Sequence, residues 1–211
     1  MTDHSLPEEI NKQYNKAVMA IDKKNYGYAI DILTHIVNIK PDFVDAWQIL
    51  RMAQIKNFEK NPPNFTRLAI IKTISFISSI TALIEETKGN LHGAMVIYEK
   101  ILKKDPKNAG ILAKLGRLLK IEGVNKVAAV MLENAVTISP KNAAAYELLG
   151  EVYSSLAIYD RARDCFKRVL GLKPHDANAE RNLKNIDALT TIDRSFKSKD
   201  DGNLRIREIG E

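Results

Sequence analysis

The sequence predicts an all-α chain built as an array of antiparallel helix hairpins, and three observations carry that prediction. The segment PKNAGILAKLG at 106–116 recurs as PKNAAAYELLG at 140–150. Pro106, Pro140 and Pro174 stand thirty-four residues apart, a spacing that marks stacked repeats. Within each period apolar residues recur at helical spacing in two blocks separated by a turn, and nothing in the repeats predicts a strand.

In the unit at 109–142, Leu112, Leu115 and Leu119 share one helical face. Val127, Val130, Met131, Ala135 and Ile138 share another, with Gly123 and Asn125 marking the turn between. The unit at 143–176 repeats the hairpin with Tyr146, Leu149, Val152 and Tyr153, then Ala162, Phe166, Val169 and Leu172. Proline closes each pair, because it cannot continue a helix interior and disfavours a helical conformation in the residue before it. Gly116 and Gly150 in the first helices, and Ala128 and Ala162 in the second, mark places where two backbones approach closely. Ala94 and Ala29 take the second-helix place in earlier units at 75–108 and 10–43.

A degenerate unit at 44–74 opens with Trp47 and Leu50. Its second helix would fall near 61–74, but NPPN at 61–64 breaks the chain and no Gly or Pro follows until Gly89. One long helix over 65–88 is therefore expected, which reverses the up-down parity of the helices before it. The run LAIIKTISFISSITALI at 68–84 is shorter than the roughly 20 residues of a spanning helix. It also contains Lys72, so it is read as a buried helix rather than a membrane span, and membrane attachment through it is the less favoured alternative. Residues 177–193 form an amphipathic capping helix with Leu183, Ile186 and Leu189 on one face. Residues 194–211 are a polar, flexible tail in which LRIREI reads as a short strand or a tether.

The order Leu112, Leu115, Gly116, Leu119, Ala128, Leu132, Ala135, Pro140 resembles the tetratricopeptide repeat (TPR) pattern. The order Tyr146, Leu149, Gly150, Tyr153, Ala162, Phe166, Val169, Pro174 carries it again, and half-repeats run through Ala94, Tyr98, Ile101, Pro106 and through Ala29, Leu33, Ile36, Pro41. The resemblance implies a right-handed superhelical α-solenoid, a single domain over 1–193, and a concave wall lined by first helices. It further implies a non-enzymatic scaffold or adaptor that takes a partner's peptide or helix in that groove. TPR proteins of one type clamp a peptide's terminal carboxylate with lysines and asparagines from three successive first helices. Here those places hold Ser79, Leu83, Lys114, Ala144 and Leu148 in one frame, and Ala113, Arg117, Leu148, Asn178 and Asn182 in the next. The clamp is not reproduced.

Composition fits a folded chain, with 45% hydrophobic and 27% charged residues. The formal charge of +6 admits an acidic partner, yet Arg161, Arg163, Lys167 and Arg168 are interleaved with Asp160 and Asp164, and Asp164 with Arg168 has the spacing of a helical ion pair. That mixture reads as a solvated face and argues against nucleic acid. Lys40, Lys103, Lys104 and Lys173 stand in the last turns before prolines, where cations favour the helix dipole. Cys165 excludes an intramolecular disulfide and reads as a small packing residue; with no export signal in MTDHSLPEEI, the cytoplasm is the expected compartment. His4, His35, His92 and His175 are scattered without ligand spacing, so neither metal nor cofactor is expected, and no nucleophile elbow or phosphate loop suggests an enzyme.

Once packing positions are assigned, Ala113, Arg117 and Lys120 share a free face of one first helix. Ala144, Glu147, Glu151 and Ser154 share the next, and Asn178, Arg181 and Asn185 lie on the cap. Rungs of alternating charge suit an extended peptide of mixed charge. A second reading makes the chain a helper module of a larger enzyme or of a secretion or assembly complex. The apolar 65–88 helix also offers a face for self-association.

Overall fold

The computed structural model describes residues 7–191, and among them every regular element is a helix. In chain order these are α1 (Glu8–Asp22), α2 (Tyr26–Ile39), α3 (Val44–Lys60), α4 (Phe65–Thr87), α5 (Leu91–Lys104), α6 (Ala109–Ile121), α7 (Asn125–Ile138), α8 (Ala143–Ser155), α9 (Tyr159–Leu172) and α10 (177–191). They fall into two compact units divided after Pro140. The tail at 194–211 and its LRIREI segment lie outside the described residues.

The recurring PKN is a stop followed by a start. Proline ends one hairpin, and two residues later Asn108 or Asn142 caps the next helix, its side-chain oxygen accepting from the amide of Ile111 (3.2 Å) or Ala145 (3.1 Å). Asp176 does the same for Ala179 at 3.0 Å, opening α10. Within each hairpin the turn passes through one left-handed residue: Lys24 (φ 57°), Gly89 (79°), Gly123 (76°) and Ala157 (57°). In every case the next amide reaches back five residues, as Val124 N to Leu119 O and Ile158 N to Tyr153 O do, which satisfies a carbonyl at the helix end.

Glycine then sets the spacing of the helices. A Cβ on Gly116 of α6 would stand 2.7 Å from Leu132 Cγ of α7, and one on Gly150 of α8 would stand 2.8 Å from Phe166 Cζ of α9. Each large side chain occupies the volume its glycine leaves open. Ala29, Ala94, Ala128 and Ala162 are fully buried at the matching second-helix place.

In the first unit α4 pairs with α5 and α6 with α7. Helix α3, which pairs with α2, then packs on α5 and α7, both second helices of their hairpins, so α1–α3 do not extend the array as another regular repeat. This is the parity break that the single long helix forces. At the α3–α5 contact Arg51 and Gln54 meet Glu99, all three buried: Arg51 Nη2 pairs with Glu99 Oε1, to which Gln54 Nε2 donates at 2.8 Å. Arg51 also lies over the Trp47 ring at 5.9 Å.

Helix α4 is unbroken as expected and runs through positions 74 and 75, where the repeat spacing puts a unit boundary. It is not the buried helix expected from its composition. Only Ser75 and Ala82 are buried, whereas Phe65 is 85% and Phe76 67% exposed, and Ile70, Ile74, Ile77, Ile80, Leu83 and Ile84 are exposed too. The cause is the diversion of α3: the helix that would precede α4 packs elsewhere, so α4 meets the rest of the unit along a narrow stripe. Lys72, the charge within the apolar run, donates to buried Asp105 at 2.7 Å.

The second unit closes with α10. Ala179 packs with Ala143 of α8 and Val169 of α9, with Tyr146, Leu170 and Leu172 against them. Of the expected cap face Ile186 is buried, Leu183 half-buried and Leu189 exposed. Arg163 of α9 ties the helices together, donating from Nε to Asp187 Oδ1 at 2.9 Å and from Nη2 to Thr190 Oγ1 at 3.1 Å. The hydrogen bond to Asp187 is the main reason its guanidinium pKa is raised.

Candidate functional site

The residues expected to line a binding wall divide between the two units. On α6 of the first unit the inward residues are Ile111, Leu112, Leu115, Gly116, Leu118 and Leu119, all buried. That leaves Ala113, Arg117 and Lys120 half-buried along one side. Arg117 is not a free rung: its Nη2 forms an ion pair with Glu86 of α4, whose side chain is only 9% exposed. Tyr98 of α5 donates to the same carboxylate at 2.6 Å. Burial first, and this hydrogen bond second, raise the Tyr98 phenol above its ordinary pKa. Thus Arg117, Glu86 and Tyr98 join three helices of the first unit.

On α8 of the second unit Ala145, Leu149, Gly150, Val152 and Tyr153 point into the core. Glu147, Glu151 and Ser154 lie half-buried on the opposite side, at helical spacing i, i+4 and i+7. On α10 Asn178 and Arg181 are exposed, and Arg181 Nη2 donates to Asn178 Oδ1 at 3.3 Å. Within this unit the structure therefore offers an acidic stripe on α8 and a polar, basic one on α10.

Two features rest on contacts between helices. Glu86 belongs by sequence to the apolar 65–88 helix, and in the fold it fixes Arg117. Arg51 and Gln54 share the face of α3 that buries Trp47 and Leu50, so a charged group on an apolar stripe was the available signal for the Glu99 cluster. Cys165 is buried, and among the described residues no group of three or more His, Cys, Asp or Glu side chains stands close enough to hold a metal ion.

A tetratricopeptide repeat profile matches residues 143–176, the hairpin α8–α9 with its flanks. The first TPR of Spaghetti (RPAP3), solved bound to the HSP90 peptide SRMEEVD, superposes with a TM-score of 0.54 at 20% identity, covering 56% of this chain and 93% of that one. The Arabidopsis OM64 TPR domain gives 0.52 at 21% identity over 54% and 94%. The Sgt2 TPR domain from Aspergillus fumigatus gives 0.52 at 18% identity over 58% and 82%. The chain carries the tetratricopeptide fold. Its helix hairpins form an α-solenoid array, with α1–α3 departing from the regular succession. No curated protein matches the sequence.

Proposed function

We propose that this chain is a non-enzymatic protein-interaction scaffold of the cytoplasm whose first-helix faces receive a peptide or helix from a partner protein. The observation that carries the reading is the α8 stripe of Glu147, Glu151 and Ser154, left half-open beside a glycine-spaced hairpin in the segment that matches the repeat profile. Ala113, Arg117 and Lys120 on α6, and Asn178 and Arg181 on α10, are the corresponding faces of their helices. Structural neighbours support the class of ligand: one TPR of RPAP3 was solved with an HSP90 peptide and another with the HSP70 peptide SGPTIEEVD. The ligand proposed here differs from those acidic peptides. Leu83, Ala144 and Leu148 stand where carboxylate-clamping side chains would be needed, and Glu147 calls for lysine or arginine in the bound segment.

The test is a quantitative capture with the full chain against Glu147→Lys/Glu151→Lys and, separately, Asn178→Ala/Arg181→Glu, all on exposed or half-buried positions that leave the core intact. Loss of the same partner by tenfold or more with the α8 variant supports the reading. Equal recovery of every captured protein by wild type and both variants removes these faces from it.

A further inference from the structure

The outer side of α4 is the largest feature that partner capture by first-helix faces leaves unexplained. Its 23 residues span about 34 Å at 1.5 Å per residue. Across roughly half of the helix circumference, from Phe65, Phe76 and Leu83 through Ile80 and Ile84 to Ile77, no charged residue occurs. The eight exposed large apolar side chains of α4 present on the order of 800 Å², taking each as about half of a ~200 Å² side chain, more than the ~300–600 Å² of an ordinary monomer's largest patch. This surface is a ridge.

Lysines line the grooves on both sides of the ridge. The groove between α4 and α5 is lined by Ile74, Ser75, Ser78 and Thr81 together with Lys100 and Lys104, and has no acidic side chain. The groove on the other side, toward α6, is lined by Phe76 and Ser79 with Lys72 and Lys114; Lys72 is held by Asp105, which leaves Lys114 for an anionic surface. An apolar ridge between lysine-bearing grooves is the cross-section of a helix lying in the plane of an anionic bilayer, its apolar side among acyl chains and its lysines at the phosphates.

We propose that α4 docks this protein in the plane of a membrane surface bearing anionic lipid. Pairing with a second copy would set two lysine-flanked ridges against each other, which like charge opposes. Crossing the bilayer, for which α4 alone among the described helices is long and apolar enough, would take Lys72 from buried Asp105 and part α4 from α5 at Ser75 and Ala82. In-plane docking keeps all of these contacts.

The experiment is sedimentation of the full chain with phosphatidylcholine vesicles containing one quarter phosphatidylglycerol, and with phosphatidylcholine alone. Binding to the anionic vesicles is expected, with at least tenfold weaker partition for Ile77→Glu/Ile84→Glu and for Lys100→Glu/Lys104→Glu. Circular dichroism should show both variants folded, because all four side chains are exposed. A Phe76→Trp variant keeps the ridge intact and should shift its emission to the blue when the anionic vesicles are added. Absence of vesicle binding, partition unaffected by both double substitutions, or a lipid-free dimer that Ile77→Glu/Ile84→Glu converts to monomer would overturn the proposal.

Discussion

Replacing Gly150 by alanine tests the close approach of α8 and α9 through the sign of its effect. In a helix interior the change alone favours folding by about 1 kcal/mol, since alanine has the higher propensity and restricts the unfolded chain. Here the new methyl would lie 2.8, 2.9 and 3.1 Å from three ring carbons of Phe166, against an optimum near 3.5–4.0 Å. Phe166 is 1% exposed, so its ring can shift only against buried neighbours. Overpacking of this kind costs about 1–3 kcal/mol, so Gly150→Ala should destabilise by about 1 kcal/mol net. With Phe166→Leu in place the ring carbons are gone and the propensity gain stands alone, so the same substitution should stabilise by about 1 kcal/mol. A four-species cycle of urea denaturation, followed by circular dichroism, should give a coupling near 2 kcal/mol. Stabilisation by Gly150→Ala while Phe166 is present would refute the packing argument.

The buried cluster and the Tyr98 phenol give two further tests. Glu99→Leu leaves Arg51 charged and buried without its carboxylate, which should cost about 3–5 kcal/mol, whereas Arg51→Met/Glu99→Leu should recover most of it; a single-variant cost below about 1 kcal/mol in chemical denaturation would contradict the burial. Tyr98 holds its proton in the folded state to higher pH than an unfolded tyrosine, which ionises near pH 10. Above that pH the folded state binds more protons than the unfolded one, so this contribution is complete below about pH 10 and declines as pH rises beyond it. Thermal melts between pH 8 and 11.5 should fall less steeply for Tyr98→Phe than for wild type, and parallel profiles would exclude the link.

The hairpins were legible because their signals are local. Proline, the asparagine two residues on and the facing small residues each act within one period, and caps and close contacts occur where they stand. The turns were legible only where glycine takes the left-handed position: Gly123 announces it, but Lys24 and Ala157 adopt the same conformation without a permissive residue. Exposure of α4 was not legible, because hydropathy states how a helix would gain by burial and not whether a neighbour is there to bury it. Arg117 had the right spacing for an open face, and what engaged it was Glu86, thirty-one residues earlier on another helix. Contacts between elements decide such matters, and periodicity within one element does not report them.

The detour of α3 changes how the first unit must come together. In a repeat array whose neighbours touch only in sequence order, terminal helices can be peeled away one at a time. Here a segment ending at Lys60 rests on helices that begin at Leu91 and Asn125, so its docking awaits a stretch of chain made much later. Closing that distance places a slow, long-range event in an otherwise local assembly. Shortening the chain from either end should then dissolve the unit as a whole, where a regular solenoid would only fray.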